Sequence, residues 1–387
     1  MEKKVRQKLY FLVTVAFYFL ALSMVLTGAV LPEWLNRFQI SSSEGGQLFS
    51  LYYFSYVLVT FSSGILADLV GTKWILVLSQ LFLLIGFSTV SLADRFSTIK
   101  WGMLLLGFGG GFCEAPLTGL VSRVFTGEEG YALNVSQISF GLGAASGPFL
   151  MGFFLGQGVS WRVLYFISAL ISFLLLVLFA IERTFLVVPK VEKEKKDWLS
   201  LLNFRSLLLS SFLAIFLYVG AEIGSSAWMS TYMVRELNAS IYVGGIAMAI
   251  FWGSITVGRF LFAQLARFFP PPRLLRLAVG ISLVFLVLLN STSQVNLVLL
   301  ALGGVGLGYS AIWPFIVANV AGKVGHLQAT AIGFTVAFGG IGALFFPWLM
   351  GVWIDFLNLR SIFLLVLILV VVLLMVVRGE NFREERG

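Results

Sequence analysis

Apolar runs long enough to cross a bilayer recur from one end of this chain to the other, with short polar breaks between them. A spanning helix needs about 20 such residues, whereas the strands of a membrane barrel are short and alternate residue by residue. Twelve runs can be marked, at 10–31, 47–67, 74–93, 99–121, 131–156, 163–181, 206–234, 242–265, 274–289, 295–320, 329–354 and 361–377. They predict an all-α membrane protein with twelve transmembrane helices. The one long hydrophilic interval, 182–200, follows the sixth run and divides the chain. An N-terminal six-helix half (1–182) and a C-terminal six-helix half (201–387) flank a cytoplasmic linker (183–200). Acids dilute the Lys residues of that linker, so it reads as a solvated connector ending in a surface helix rather than as a lipid-binding patch.

The halves are related in sequence. A shift of 199 residues carries Gly143-Ala144 onto Gly342-Ala343, Pro148 onto Pro347, Leu150-Met151-Gly152 onto Leu349-Met350-Gly351, and Gly45-Gly46 onto Gly244-Gly245. A shift of 197 carries Gly107, Gly109 and Gly111 of span four onto Gly304, Gly306 and Gly308 of span ten. Two parallel repeats of six helices describe a transporter whose site lies between the halves near the midplane. The glycine faces allow close helix approach, and Pro116, Pro148, Pro314 and Pro347 permit bends in four spans.

Composition narrows the class. Of 387 residues 59% are hydrophobic and 11% charged, against about 25% charged in a soluble domain. With both termini placed inside, 20 of the 26 Lys and Arg fall on the cytoplasmic side, as the positive-inside rule asks of an inner-membrane protein with an even number of spans. The net charge of +8 therefore reports topology and anionic headgroups, not nucleic acid. A single cysteine, Cys113, excludes an intrachain disulfide framework. The basic start runs into an apolar stretch too long for a signal core, which is kept as the first helix. No nucleophile motif or metal-ligand cluster is visible, so no enzyme activity, cofactor or metal is expected, and a monomer suffices.

Two carboxylates lie deep in apolar runs. In span four, Gly107, Gly111, Glu114, Thr118 and Ser122 share one helical stripe; in span seven, Tyr218, Glu222, Ser225 and Met229 make another. A carboxylate facing lipid costs about 2.5–3.5 kcal/mol at a span centre on insertion scales, so both should face protein or a watery cavity. Belonging to opposite halves, with no buried cation in view, Glu114 and Glu222 are the candidates for coupling an ion, H+ or Na+, to transport. The alternative for Glu114 is a structural pin to a neighbouring helix. For the substrate, amides and aromatic faces suit a polyhydroxylated ring: Asn134 and Gln137 in span five, Tyr218, Glu222, Trp228, Trp252, Tyr309, Trp313 and Asn319 in the second half. Trp34, Trp101 and Trp353 read as packing or interface residues.

The chain resembles the major facilitator superfamily over essentially its full length. The stretch from Gly64 through Asp68 and Gly71 to Lys73 is similar to that superfamily's loop 2–3 signature. The resemblance implies that Gly64, Asp68, Gly71 and Lys73, with Arg123 and Arg259, gate the cytoplasmic side. Within the superfamily, Gly109–Pro116, Ala132–Asn134, Phe140–Gly143, Tyr218–Glu222 and Gly258-Arg259-Phe260 look like the fucose permease branch of sugar symporters. That likeness implies a sugar as cargo and protons as the driving ion. The span-five string from Gly143 to Gly152 also resembles the antiporter signature of drug exporters, which keeps proton-coupled multidrug efflux as the alternative.

Overall fold

The computed structural model describes residues 3–125, 129–182 and 198–382. They form twelve long helices: α1 Lys3–Arg37, α2 Ser42–Val70, α3 Thr72–Ser91, α4 Phe96–Val124, α5 Glu129–Gly156, α6 Trp161–Ile181, α7 Arg205–Thr231, α8 Ile241–Leu265, α9 Pro271–Ser291, α10 Val295–Lys323, α11 Gln328–Phe356 and α12 Ile362–Val377. Eleven are long and apolar enough to span a membrane, and α2, bent by 46° between Ser42–Thr60 and Ser62–Val70, makes twelve. Most of the interval expected to be the linker, 183–197, lies outside the described residues; its end is a 3-10 segment, Trp198–Phe204, leading into α7. The ninth run, read as the shortest, extends by several residues on both sides.

Local chemistry sets the helix ends. Ser41 opens α2 with a reciprocal cap: its hydroxyl accepts the Glu44 N–H, and the Glu44 carboxylate accepts the Ser41 N–H. Ser160 and Ser240 cap α6 and α8. Gly71 turns α2 into α3 at φ +103°, a conformation that side chains disfavour, and its N–H bonds the carbonyl of Ala67 at 3.0 Å. The bend in α2 coincides with Thr60, Ser62 and Ser63, whose hydroxyls donate back to carbonyls three or four residues earlier and so compete with the helix's own ladder. The prolines of α4, α5, α10 and α11 lie within continuous helices.

Helices α3, α6, α9 and α12 lie at the periphery. On α6, Leu164, Tyr165, Ser168, Ser172 and Phe179 face inward while Phe166, Ile167, Leu170, Phe173 and Leu174 are exposed, as a lipid-facing helix requires. The halves meet where α1 packs on α7, α2 on α11 and α5 on α8. Glycines make these seams. A Cβ on Gly46 would come within 2.7 Å of the Pro347 carbonyl oxygen, and one on Gly245 within 2.5 Å of the Pro148 carbonyl oxygen. Gly351 abuts the Ser42 carbonyl and Gly152 that of Ile241. Each of these contacts maps onto its partner by the 199-residue shift, so the α2–α11 and α5–α8 seams are the same joint built twice.

The shift of 197 for span four is corrected by the same geometry. Gly107 packs against the Tyr52 carbonyl as Gly306 packs against that of Phe251, and Gly109 meets Leu83 as Gly308 meets Ser282. All these pairs differ by 199, so one register serves the whole chain. At the end of the bundle away from the termini, Asp355 of α11 accepts the Ser42 and Ser43 N–H groups at 2.9 and 2.8 Å, Arg235 donates to the side-chain oxygen of Asn36 at 2.5 Å, and Ser230 donates to the Ala29 carbonyl at 3.3 Å. Each of these bonds joins the two halves.

Valine at Gly46 or Gly245 has no room to move into, since backbone lies on the far side. Overpacking of this kind costs about 1–3 kcal/mol. Gly46→Val and Gly245→Val should therefore each lower the melting temperature of the detergent-purified protein by several degrees. Gly280→Ala, whose Cβ meets nothing within 4 Å, should leave it unchanged; equal melting of all three would refute the seam assignment.

Candidate functional site

Helix α7 is buried almost all round because its surface is small: Gly220, Ala221, Gly224, Ser225, Ser226 and Ala227 let its neighbours close in. Phe346 covers Gly220, Met350 covers Gly224, and Gly28 of α1 lies against the Ser226 carbonyl. Glu222 sits within this packed stretch, 8% exposed, and accepts the hydroxyl of Tyr218, one turn earlier, at 2.6 Å. Tyr309 of α10 stands edge-on to Tyr218, with ring centroids 5.6 Å apart, and edge-on to Phe251 at 5.9 Å. Trp252 of α8 donates its indole N–H to the Ser226 hydroxyl at 2.9 Å.

The second carboxylate approaches from the other half. Gly107 and Gly111 bring α4 against the backbone of α2 at Tyr52 and Tyr56, and this close approach aims Glu114, on the same stripe, along α2. Glu114 is half-buried; among the described residues it makes no hydrogen bond or ion pair. Its charge reaches Tyr52 and Tyr53, and the charge of Glu222 reaches Tyr53 as well. Tyr52 and Tyr56 stack at 6.2 Å, and the Tyr52 hydroxyl is 3.0 Å from that of Ser23 on α1. Gly110 leaves the space that this hydroxyl fills.

Arg259, expected as a gating residue, is partly buried where α8 packs on α5. It is on α8, six residues before the helix ends at Leu265, roughly 9 Å from that end at 1.5 Å per residue. One guanidinium nitrogen donates to the Gln137 side-chain oxygen of α5, in the other half, at 3.4 Å, and its Nε is buried without a partner. Its charge bears on Glu222 and Tyr218, although no ion pair within 4.0 Å joins it to either carboxylate. The positive-inside bias survives its removal from the count.

The remaining expectations divide by place. Tyr218, Glu222, Tyr309 and Trp252 gather around α7, and Gln137 meets Arg259 where α5 packs on α8. Trp228 is fully buried in the seam, its indole N–H committed to the Pro347 carbonyl at 2.9 Å. Asn319 is drawn away to the terminal end of α10, where its amide donates to the Asn381 carbonyl at 3.1 Å. Trp313 is 36% exposed on α10. The side chains of Asn134 and Arg123 lie outside the described residues. Gly64 and Gly71 face open space, Asp68 is exposed at the end of α2, and the Lys73 ammonium lies over the Trp74 ring at 5.5 Å. Sequence reasoning passed over Tyr52, Tyr53 and Tyr56. Three tyrosines within five residues of a spanning run were the available signal.

A twelve-helix bundle of two repeated halves, with charged and aromatic side chains from both meeting between them, is the build of a membrane transporter. Residues 11–335 match the Major Facilitator Superfamily, and the chain belongs to that superfamily. Among curated relatives it is 22% identical over 330 residues to the TsgA homolog of Buchnera aphidicola subsp. Schizaphis graminum, covering 85% of this chain and 84% of that one. It is also 22% identical over 361 residues to the quinolone resistance protein NorA of Staphylococcus aureus, covering 90% and 89%. Among solved structures, a bacterial homolog of the human lysosomal transporter Spinster, inward-facing and occupied, superposes with a TM-score of 0.78 at 13% identity over all of both chains. The E. coli fucose:proton symporter FucP superposes with a TM-score of 0.65 at 18% identity, covering 95% of this chain and 97% of that one. These likenesses establish the fold.

Proposed function

We propose that this transporter moves a small polar solute of the sugar class by alternating access, coupled to H+, with Na+ as the rival ion. The supporting observation is that each half carries one carboxylate inside a membrane-spanning helix, Glu114 in α4 and Glu222 in α7, the latter buried and accepting the Tyr218 hydroxyl. An occluded, dry cavity disfavours an ionised carboxylate, and taking up a proton relieves that penalty, so the protonation state biases which end of the cavity is open. Gln137, Tyr218 and Tyr309 supply donors and acceptors for hydroxyls, and Trp252 a flat apolar face. Trp228 holds the seam and Asn319 the terminal turn.

The likeness to NorA, together with the Gly143–Gly152 string, favours a second reading, proton-coupled efflux of hydrophobic cations. One set of proteoliposome measurements separates the two. If Glu114 carries the proton, Glu114→Gln exchanges solute across the membrane at near wild-type rate yet accumulates none against its gradient, because exchange needs no net proton movement. Concentrative uptake by Glu114→Gln at the wild-type level would remove Glu114 from coupling. Exchange of hydrophobic cations, with sugars inert, would establish the efflux reading instead. Repeating the measurement with an imposed Na+ gradient in place of the pH gradient identifies the ion.

Asp68 is assigned to a gate at the terminal end of α2, since it stands beside the Gly71 turn and away from the carboxylates. Asp68→Asn should slow transport while keeping solute affinity within about threefold, as expected of a group that biases two states without touching the ligand. Loss of binding with unchanged transport rate would contradict this. Both termini are assigned to the cytoplasm on the positive-inside bias. In intact cells an impermeant thiol reagent should label Arg37→Cys, and Gly379→Cys only after permeabilisation; the reverse pattern would invert the topology.

A further inference from the structure

Arg259 has more hydrogen-bonding capacity than its surroundings use. A guanidinium carries five N–H donors in a planar fork and cannot shed its charge. Here one of them makes a long bond of 3.4 Å to Gln137, and the Nε–H is buried with no acceptor. Glu222 makes no ion pair with it among the described residues and takes the hydroxyl of Tyr218 at 2.6 Å. The fork therefore stands where α8 meets α5 of the other half, roughly 9 Å from the end of α8, with its Nε–H unanswered. An intramembrane cation kept in such a state marks a ligand or ion path.

We propose, resting on the transport reading above, that Arg259 receives a carboxylate of the solute, so that the cargo is a polyhydroxylated monocarboxylic acid rather than a neutral sugar. A carboxylate matches the guanidinium fork with two parallel bonds, which a hydroxyl cannot do. The neighbouring groups fit the rest of such a molecule. Gln137 retains its amide N–H donors, and Trp252 stands about two turns before Arg259 on α8. Because Gln137 belongs to α5 and Arg259 to α8, an acid bridging them engages both halves together. Seated there, the acid also answers the positive charge that faces Glu222, which links occupancy to the protonation of that carboxylate.

The test uses the full-length protein in proteoliposomes and three probes of one skeleton: D-glucuronate, its methyl ester and D-glucose. The wild type should exchange the acid and neither neutral compound. Arg259→Lys keeps the charge but loses the fork, and should raise the half-saturating concentration of the acid at least about tenfold; Arg259→Gln should abolish its exchange. The comparison of the three probes on the unmodified protein stands even where a variant fails to fold. Exchange of glucose or the ester as readily as the acid would overturn the anion assignment and leave the transport of a polar solute standing. Exchange of none of the three, or of hydrophobic cations instead, would overturn both.

Discussion

A charge inside a bilayer has to be answered by an opposite charge, a hydrogen bond or water, and this chain places three charges where lipid can answer none of them. Glu114, Glu222 and Arg259 can persist only if the helices that carry them turn those side chains toward protein or water and away from the acyl chains. That requirement orients α4, α7 and α8 about their axes. The small residues beside each charge follow from it: Gly107 and Gly111 admit α2 to α4, and Gly220 and Gly224 admit Phe346 and Met350 to α7. The polar centre and the tight packing are one arrangement, because a loose helix would rotate its charge toward lipid.

Contact between the halves follows a different rule. Apolar surface does not drive helices together in lipid as it does in water, so association depends on close backbone approach and hydrogen bonds. The seams α2–α11 and α5–α8 use both. Gly46 and Gly245 bring backbones into direct contact, and Asp355 accepts two N–H groups at the start of α2, where the unpaired amides and the positive end of the helix dipole favour an anion. None of these bonds holds the central side chains. Bonds of this kind can break and re-form without disturbing either half, which is what rocking of two rigid bodies about a fixed centre demands.

The frame was legible in the sequence because its signals are long and periodic. Twenty-residue apolar runs, the break near residue 190 and the 199-residue repeat of Gly-Gly and Pro each report backbone, and backbone follows from local composition. The 197-residue shift failed because a Gly-x-Gly-x-Gly string matches itself two residues out of register, and only contacts such as Gly107 on Tyr52 and Gly306 on Phe251 choose between the alignments. The centre was half legible. Buried acids stand out by their rarity, so Glu114 and Glu222 could be named. Arg259 was hidden because a basic residue near the end of a run looks like one more cytoplasmic charge, and six residues of depth cannot be read from a boundary uncertain by several. Asn319 and Trp228 misled in the opposite way: each is polar or aromatic within a span, yet each is consumed by a partner distant in sequence, Asn381 and Pro347.

The repeat stops at the site, and electrostatics explains why it must. Applying the 199-residue shift to the seams returns glycine for glycine and proline for proline. Applied to the centre it relates Glu222 to Ser23, Glu114 to Trp313, Arg259 to Thr60, Tyr53 to Trp252 and Tyr309 to Gly110. A faithful duplicate would repeat each carboxylate and the guanidinium about a pseudo-twofold axis, doubling the charge that a low-dielectric interior has to answer. In each related pair that carries a charge, only one member carries it. Gly110 shows the steric side of the same rule, since the room vacated opposite Tyr309 is where the Tyr52 hydroxyl reaches toward Ser23. Two copies of one scaffold can rock as equals only if the charges between them are not copied.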